Sequence, residues 1–423
     1  MKQFVVSVLL YNLWSVAVFG QQLQEDYLLN IENVAVNKYM SEVFYEPHDE
    51  TLIEQYNKGL SYRADIPDSL MLNLPENSGA DSLLIVCYDF ETLADSLLFK
   101  VSTENKTVAL YNFIPQRTYR YEVKDEDTIL KYGFIKTEGQ VRMLQICNTV
   151  NNIRDMGGWK TADGKRIRYG KIFRGSELNG TRIATAEGIE LLKALGVEAE
   201  LDLRAWYNTA HNVSAFNFLD SYRTPIGEVP SFYYSNNSGQ LPIHIDSTIF
   251  KNKWRYEFQF IVNNLRVGRG IYQHCVQGKD RTGYLSLLLE GLLGVPYSDI
   301  LKDYELSFFF YDYNHNKDSI DKVFDFIETM EGETLRDKFN TYFTKKLYVS
   351  QTDIDYFRDV MLEAIEPEDD IVTFAGPKKR FETNKYKERI YNIKGQSVAI
   401  PHKGNIYLVR DKDEKMKKLV VGR

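Results

Sequence analysis

Cys275 and Arg281 bracket five residues of the stretch HCVQGKDRTG, with Gly278 between them. Five residues between a thiol and a guanidinium are enough to curl the backbone around one tetrahedral oxyanion, and Gly278 permits the curl. Successive N–H groups lining the concavity, with the N-terminus of a helix starting near Thr282, form a positive nest suited to phosphate. Arg281 adds a planar, permanently charged clamp that can grip two phosphate oxygens. The same field favours the thiolate of Cys275, because cysteine pKa values fall at helix N-termini and beside fixed cations. A thiolate beneath a bound phosphoryl group is a nucleophile.

The flanking sequence supplies the elements that must hold this loop. Residues 271–274 read as an apolar strand, and Leu285, Leu288, Leu289, Leu292 and Leu293 are apolar on too many faces for a surface helix. Upstream, Thr185 to Leu195 has a helical period that stops at Gly196, after which Val197, Ala199, Leu201 and Leu203 alternate as a strand. Asp202 and Arg204 therefore arrive at that strand's carboxyl end, where open α/β sheets bind ligands. Trp254, Phe258, Ile261 and Leu265 mark the apolar face of a helix ending at Gly268, and further helical patterns run over 319–330, 334–347 and 352–365. From 146 to 367 the alternation of strands and helices predicts an α/β domain with a central, largely parallel sheet flanked by helices. Before it, residues 21–145 carry short alternating strands and regular turns, the pattern of a small all-β sandwich. After it, residues 375–423 are basic and strand-like, a short β-rich tail.

HCVQGKDRTG resembles the signature loop of the cysteine-dependent phosphatases, and its Lys-Asp-Arg-Thr-Gly ending resembles a bacterial branch of atypical tyrosine and phosphoinositide phosphatases. The segments 151–178, containing Arg154 and Asp155 in an Arg-Asp-x-Gly-Gly turn, and 195–204, ending in Asp-Leu-Arg, resemble the same branch in the same order. The resemblance implies a protein-tyrosine-phosphatase type of hydrolase acting through a phosphocysteine intermediate on Cys275. It implies that Arg281 and the amides of Val276, Gln277, Gly278, Lys279 and Gly283 hold the phosphate and that His274 tunes the loop. Thr282 is implied to hydrogen-bond the departing sulfur. Asp280 is implied as the general acid, with Asp202 the second candidate, and the Arg154–Asp155 turn as scaffold. Lys279 reads either as a solvated or paired lysine or as a second cation at the pocket rim. The aromatic run 308–313 reads either as packing or as a pocket wall. The implied substrate is a phosphotyrosine protein, or a phosphoinositide or inositol phosphate. Two other classes use part of this pattern: a rhodanese-like sulfurtransferase and a noncatalytic phosphate-binding module. The stretch IPQRTYRYEV resembles fibronectin type III-like modules, and the tail resembles C-terminal sorting-type segments of secreted bacterial proteins.

A length of 423 residues exceeds one comfortable core and suggests two or three domains. A formal net charge of -7 argues against nucleic acid as the main partner. No HExxH, CxxC pair or EF-hand spacing occurs, so neither a metal nor a cofactor is implied. Lys2, an apolar run from Phe4 to Phe19 and small residues around Gly20 read as a signal peptide, 1–20, too short for a transmembrane span. The expected product is secreted or periplasmic, a compartment that permits Cys87 and Cys147 to pair while leaving Cys275 free.

Overall fold

Period-two alternation builds the first part of the chain. The computed structural model describes residues 23–42, 56, 60, 63–75, 80–90, 96–204, 214–216, 221–223, 245, 248–310, 317–365, 372–373, 389–392, 406–410 and 416–420, and its elements before residue 146 are mostly strands. They are β1 (Leu23–Gln24), β2 (Tyr27–Asn30), α1 (Val34–Met40), β3 (Leu70–Asn73), β4 (Ser82–Asp89), β5 (Ser96–Ser102), β6 (Thr107–Leu110), β7 (Thr118–Asp125) and β8 (Thr128–Glu138). The main sheet runs β1-β8-β7-β4-β5 with β2 also on β8, and β3 pairs with β6 in a separate ribbon. Leu83, Ile85 and Cys87 of β4 and Tyr119, Tyr121 and Val123 of β7 point to one side, where Leu72 of β3 and Leu110 of β6 meet them in a single core. The signal-peptide segment and most of the tail lie outside the described residues.

The period then changes. The second sheet has the order β13-β12-β14-β11-β9, from β9 (Arg154–Asp155), β11 (Ile172–Gly175), β12 (Val197–Asp202), β13 (Ser221–Arg223) and β14 (Gly270–His274), with β10 (Lys165–Ile167) outside it. β13, β12, β14 and β11 are mutually parallel and β9 is antiparallel to β11. The helices are α2 (Ala186–Ala194), α3 (Thr248–Arg266), α4 (Asp280–Leu293), α5 (Tyr297–Glu305), α6 (Lys317–Glu328), α7 (Leu335–Thr341) and α8 (Gln351–Met361). Thr185 caps α2 by accepting the Gly188 N–H, and Gly294 ends α4 at φ 93°. Every residue of α4 from Arg281 to Leu293 is buried, so this helix forms the middle of the core rather than its cover.

One helix ends before its apolar period does, and another changes its winding. The pattern over 334–347 is helical as expected, α7 continuing as a π-helical turn, Tyr342–Lys346. The pattern over 352–365 stops at Met361, whose carbonyl accepts the Arg168 N–H at 2.7 Å from another segment. A tertiary hydrogen bond there outcompetes the next helical one.

Packing divides the chain into Met1–Glu363 and Ala364–Arg423. In the second unit Val372–Thr373, Met416–Val420, Ile406–Arg410 and Arg389–Asn392 pair in that order. Cys87 is sealed in the β core and Cys147 is half-buried beside another cluster, and all three cysteines are free thiols. Among the described residues no helix is long and apolar enough to cross a membrane.

Candidate active site

β14 lies between β12 and β11 and is buried at every residue. At its carboxyl end the chain leaves the sheet as a loop, 275–279, and enters α4 at Asp280. Gly278 is required there twice over. Its φ is +69°, and an added Cβ would sit 2.3 Å from the carbonyl carbon and oxygen of Gly175, which are backbone atoms fixed in β11.

Three consecutive loop carbonyls are tied to groups outside the loop. Val276 O accepts from Glu177 N at 3.2 Å and from Arg182 Nη1 at 3.4 Å. Gln277 O accepts from Asn152 Nδ2 at 3.1 Å and Gly278 O from Arg174 Nη2 at 3.1 Å. In a trans peptide the C=O and N–H point opposite ways, so carbonyls pulled outward turn their partner amides inward. The Gly278 N–H accordingly donates to Cys275 Sγ at 3.2 Å.

Two of the three outer ties, those on Gln277 and Gly278, lead to Asp303 of α5. Arg154 donates to its carboxylate through Nε at 2.9 Å and to its carbonyl through Nη2 at 2.7 Å, while Arg174 Nη1 pairs with the other carboxylate oxygen. All three side chains are essentially inaccessible. Burial pushes the Asp303 carboxyl up, but the two guanidiniums outweigh it and hold the group ionised. Arg174 is itself lowered to about 10 by burial and by neighbouring Arg154. Glu290 of α4 is driven the other way, well above the usual carboxylate range, by burial and by the Asp303 charge.

Cys275 is 3% exposed. Burial raises its thiol, but Arg281 and the Thr282 hydroxyl and amide outweigh burial and bring it below the ordinary value. The Thr282 hydroxyl makes no bond of full geometry in the resting structure, so its influence on the sulfur comes from proximity. Arg281 is braced by donating Nη1 to Leu203 O at 3.0 Å, which sets the guanidinium against the carboxyl end of β12. Asp280, half-buried in the first turn of α4, accepts from Tyr304 Oη at 3.3 Å. The Lys279 ammonium rests over the Phe308 ring at 4.9 Å, a cation–π contact.

His274 touches the loop through hydrogen bonds rather than facing the cradle, and Asp202 and Gly283 have other duties. His274 turns away from the cradle: Nδ1 meets Cys275 O at 3.1 Å, Nε2 meets Glu200 Oε1 at 3.0 Å, and the ring stacks on Tyr272. Burial lowers its pKa, but Asp202 and Glu200 outweigh burial and raise it above the ordinary imidazole value. Asp202 is gripped by Arg204, whose Nε and Nη2 reach its two oxygens at 2.9 and 2.8 Å and whose backbone N–H adds a third bond. Against the effect of burial, His274 and Arg204 hold Asp202 far below the usual carboxylate range. Gly283 gives its N–H to Lys279 O within the helix, and it is small because a Cβ would lie 2.6 Å from the Tyr304 ring. It therefore offers no donor to a bound anion. Of the aromatic run, Phe308 and Phe309 are buried packing residues, and 311–313 lie outside the described residues.

Sequence reasoning missed Asn152, Arg174, Glu290 and Asp303 as loop supports. It also missed Lys253 and Glu257 of α3, a fully enclosed pair at 3.4 Å where Lys253 feels the charges of Arg281 and Cys275. An i,i+4 Lys–Glu pair ordinarily marks a solvated face, and only the apolar neighbours Trp254 and Phe258 hinted otherwise.

The sequence profile of the tyrosine phosphatase family matches residues 146–363, just over half of the chain. Over 167 residues the chain is 29% identical to a Cupriavidus necator protein whose name places it among tyrosine-protein phosphatases. That match covers 37% of this chain and 60% of the relative.

Proposed function

Because the chain belongs to the tyrosine phosphatase family, we propose that it hydrolyses phosphomonoesters through a phosphocysteine on Cys275. The Cys275 thiolate attacks phosphorus as the P–O ester bond breaks, and the departing oxygen takes the bond's electron pair and a proton from Asp280. Arg281 and the inward loop amides stabilise the equatorial oxygens. Water then attacks phosphorus and gives a proton to the Asp280 carboxylate. The P–S electron pair returns to Cys275, whose sulfur accepts a hydrogen bond from Thr282 as it leaves.

One observation carries this reading: the outward carbonyls of Val276, Gln277 and Gly278, with the Gly278 amide on the sulfur. Asp280 is favoured over Asp202 as acid because it stands half-buried in the loop's first helical turn, whereas Asp202 is held ionised in its pair with Arg204.

Phosphotyrosine protein is the proposed substrate, and phosphoinositides or inositol phosphates are the second class, favoured by the Lys279 ammonium held at the loop on Phe308. One further ion contact at a partly exposed site is worth on the order of 1 kcal/mol. Lys279→Ala should therefore reduce kcat/KM several-fold on multiply phosphorylated inositides, with phosphotyrosine peptides largely unaffected, at low fixed ionic strength. Equal losses on both would leave phosphotyrosine as the substrate class. With the signal peptide read in the sequence, the proposed place of action is the periplasm or the exterior.

The first test is phosphate release from p-nitrophenyl phosphate by the wild type and by Cys275→Ser, beside thiocyanate formation from thiosulfate and cyanide. Release that vanishes in the variant, with no thiocyanate from either protein, is expected. Thiocyanate formation would favour the sulfurtransferase class, and anion binding without turnover by the wild type would favour the noncatalytic one.

A further inference from the structure

The tie on the Gln277 carbonyl is made inside the residues that match the family but is anchored outside them. Asn152, which makes it, sits at φ +56°, a conformation that a non-glycine residue keeps only where its surroundings hold it. Its side chain is fully engaged: Nδ2 donates to Gln277 O at 3.1 Å and to Ser307 Oγ at 3.2 Å, and Oδ1 accepts from Arg154 Nη1 at 2.6 Å. Its backbone N–H donates to Asp65 Oδ2 at 2.9 Å. Asp65 is 2% exposed and lies eighty-seven positions earlier in the chain.

Asp65 is itself placed by contacts on both sides. Arg63 grips its two oxygens at 3.0 and 2.7 Å, and the same guanidinium donates to Asn148 O at 3.1 Å and Val150 O at 3.0 Å, just ahead of Asn152. Asn33, the cap of α1, donates Nδ2 to Ala64 O at 2.7 Å and to Ile66 O at 2.9 Å, pinning the strap on either side of Asp65. The Gln277 carbonyl and the Gly278 N–H belong to one peptide plane, so whatever holds the first outward aims the second at Cys275 Sγ.

We propose that Asp65 is a positioning residue of the Cys275 loop, acting through Asn152 on the 277–278 peptide, so that the segment ahead of the family match is a working part of the catalytic apparatus. This rests on the reading of Cys275 as the nucleophile. Without the Asp65 charge the Asn152 N–H and Arg63 compete for one acceptor, the left-handed turn relaxes, and the 277–278 plane is free to rotate its N–H off the sulfur.

The test uses the full chain with Asp65→Asn and, separately, Asn152→Gly, which tolerates the positive φ and keeps the N–H while removing the carboxamide. Two quantities are read: kcat and KM on p-nitrophenyl phosphate, and the pH dependence of Cys275 alkylation by iodoacetate, localised by mass spectrometry. Both variants should raise the apparent Cys275 pKa by on the order of one unit, the usual effect of losing one hydrogen bond to the charged form. Both should lower kcat about tenfold with KM changed far less. The double variant should be no worse than the more affected single one, since both changes cut one chain of contacts. A lowered melting temperature with unchanged alkylation profile and unchanged kcat in Asp65→Asn would make the residue merely structural and overturn the proposal. The same unchanged pair of readings in Asn152→Gly would also overturn it, even if Asp65→Asn failed to fold. A wild type that alkylates with an ordinary thiol pKa and releases no phosphate would instead defeat the nucleophile reading.

Discussion

Asp280 and Asp202 are both acidic, both near the carboxyl ends of strands, and their surroundings send them to different work. Asp280 takes one long hydrogen bond from Tyr304, so Asp280→Asn should slow alkyl phosphates, which need a protonated leaving oxygen, about a hundredfold or more. Aryl phosphates with good leaving groups should lose far less, and equal losses in a leaving-group series would move the acid elsewhere. Asp202 is one half of a buried pair, and removing such a partner costs about 3–5 kcal/mol. Its folded pKa is depressed, so its contribution is fully present above the unfolded value near 3.9 and is lost as pH falls through the folded pKa. The gap in denaturant midpoint between wild type and Asp202→Asn should therefore be constant from about pH 5 to 7 and close towards acid. A gap that widened on acidification would contradict this assignment. The Cys275, Arg281 and Gly278 pattern was readable because its chemistry is local. Asn152 and Asp303 were not, because their partners lie far off in sequence and the use of Asn152 depends on a backbone angle no composition reveals.

The strand-loop-helix unit is the element on which those side chains depend. Gly278→Ala asks for a Cβ at positive φ and against Gly175 backbone, and β11 cannot retreat because it is bonded to β14 and β9. The local answer is a rotated peptide and a lost donor to the phosphate, worth about two to three orders of magnitude in kcat. Circular dichroism should remain near that of the wild type, and a Gly278→Ala enzyme with near-normal turnover would show that the amide cradle is not the source of stabilisation. The period of apolar residues located β12, β14, α2, α3 and α4 well. It failed at the end of α8, where Met361 O binds Arg168 N, since competition from a distant group decides the last turn.

At the scale of the molecule, the division read at residue 145 does not mark a break in packing. Ala35, Val36, Tyr39 and Ala64 share one buried cluster with Leu201, Cys275, Leu288 and Phe309, and Tyr39 Oη donates to Glu305 Oε2 at 2.5 Å beside the Asp303 anchor. No period in the sequence marked α1 or Ala64, so nothing there signalled that Ala35, Val36, Tyr39 and Ala64 join the second core. A chain starting at Ile146 should accordingly be insoluble or nearly inactive, while one starting at Gln21 keeps full phosphate release; equal activity of the two would make the β region a spacer. The nucleophile itself is tested most directly by acid-quenching a single turnover of a radiolabelled aryl phosphate and mapping the label by peptide mass spectrometry. The phosphoryl group should appear on the peptide containing Cys275, at a level that rises and decays ahead of steady phosphate release. Steady release with no label on Cys275, or with the label on another residue, would contradict the phosphocysteine route.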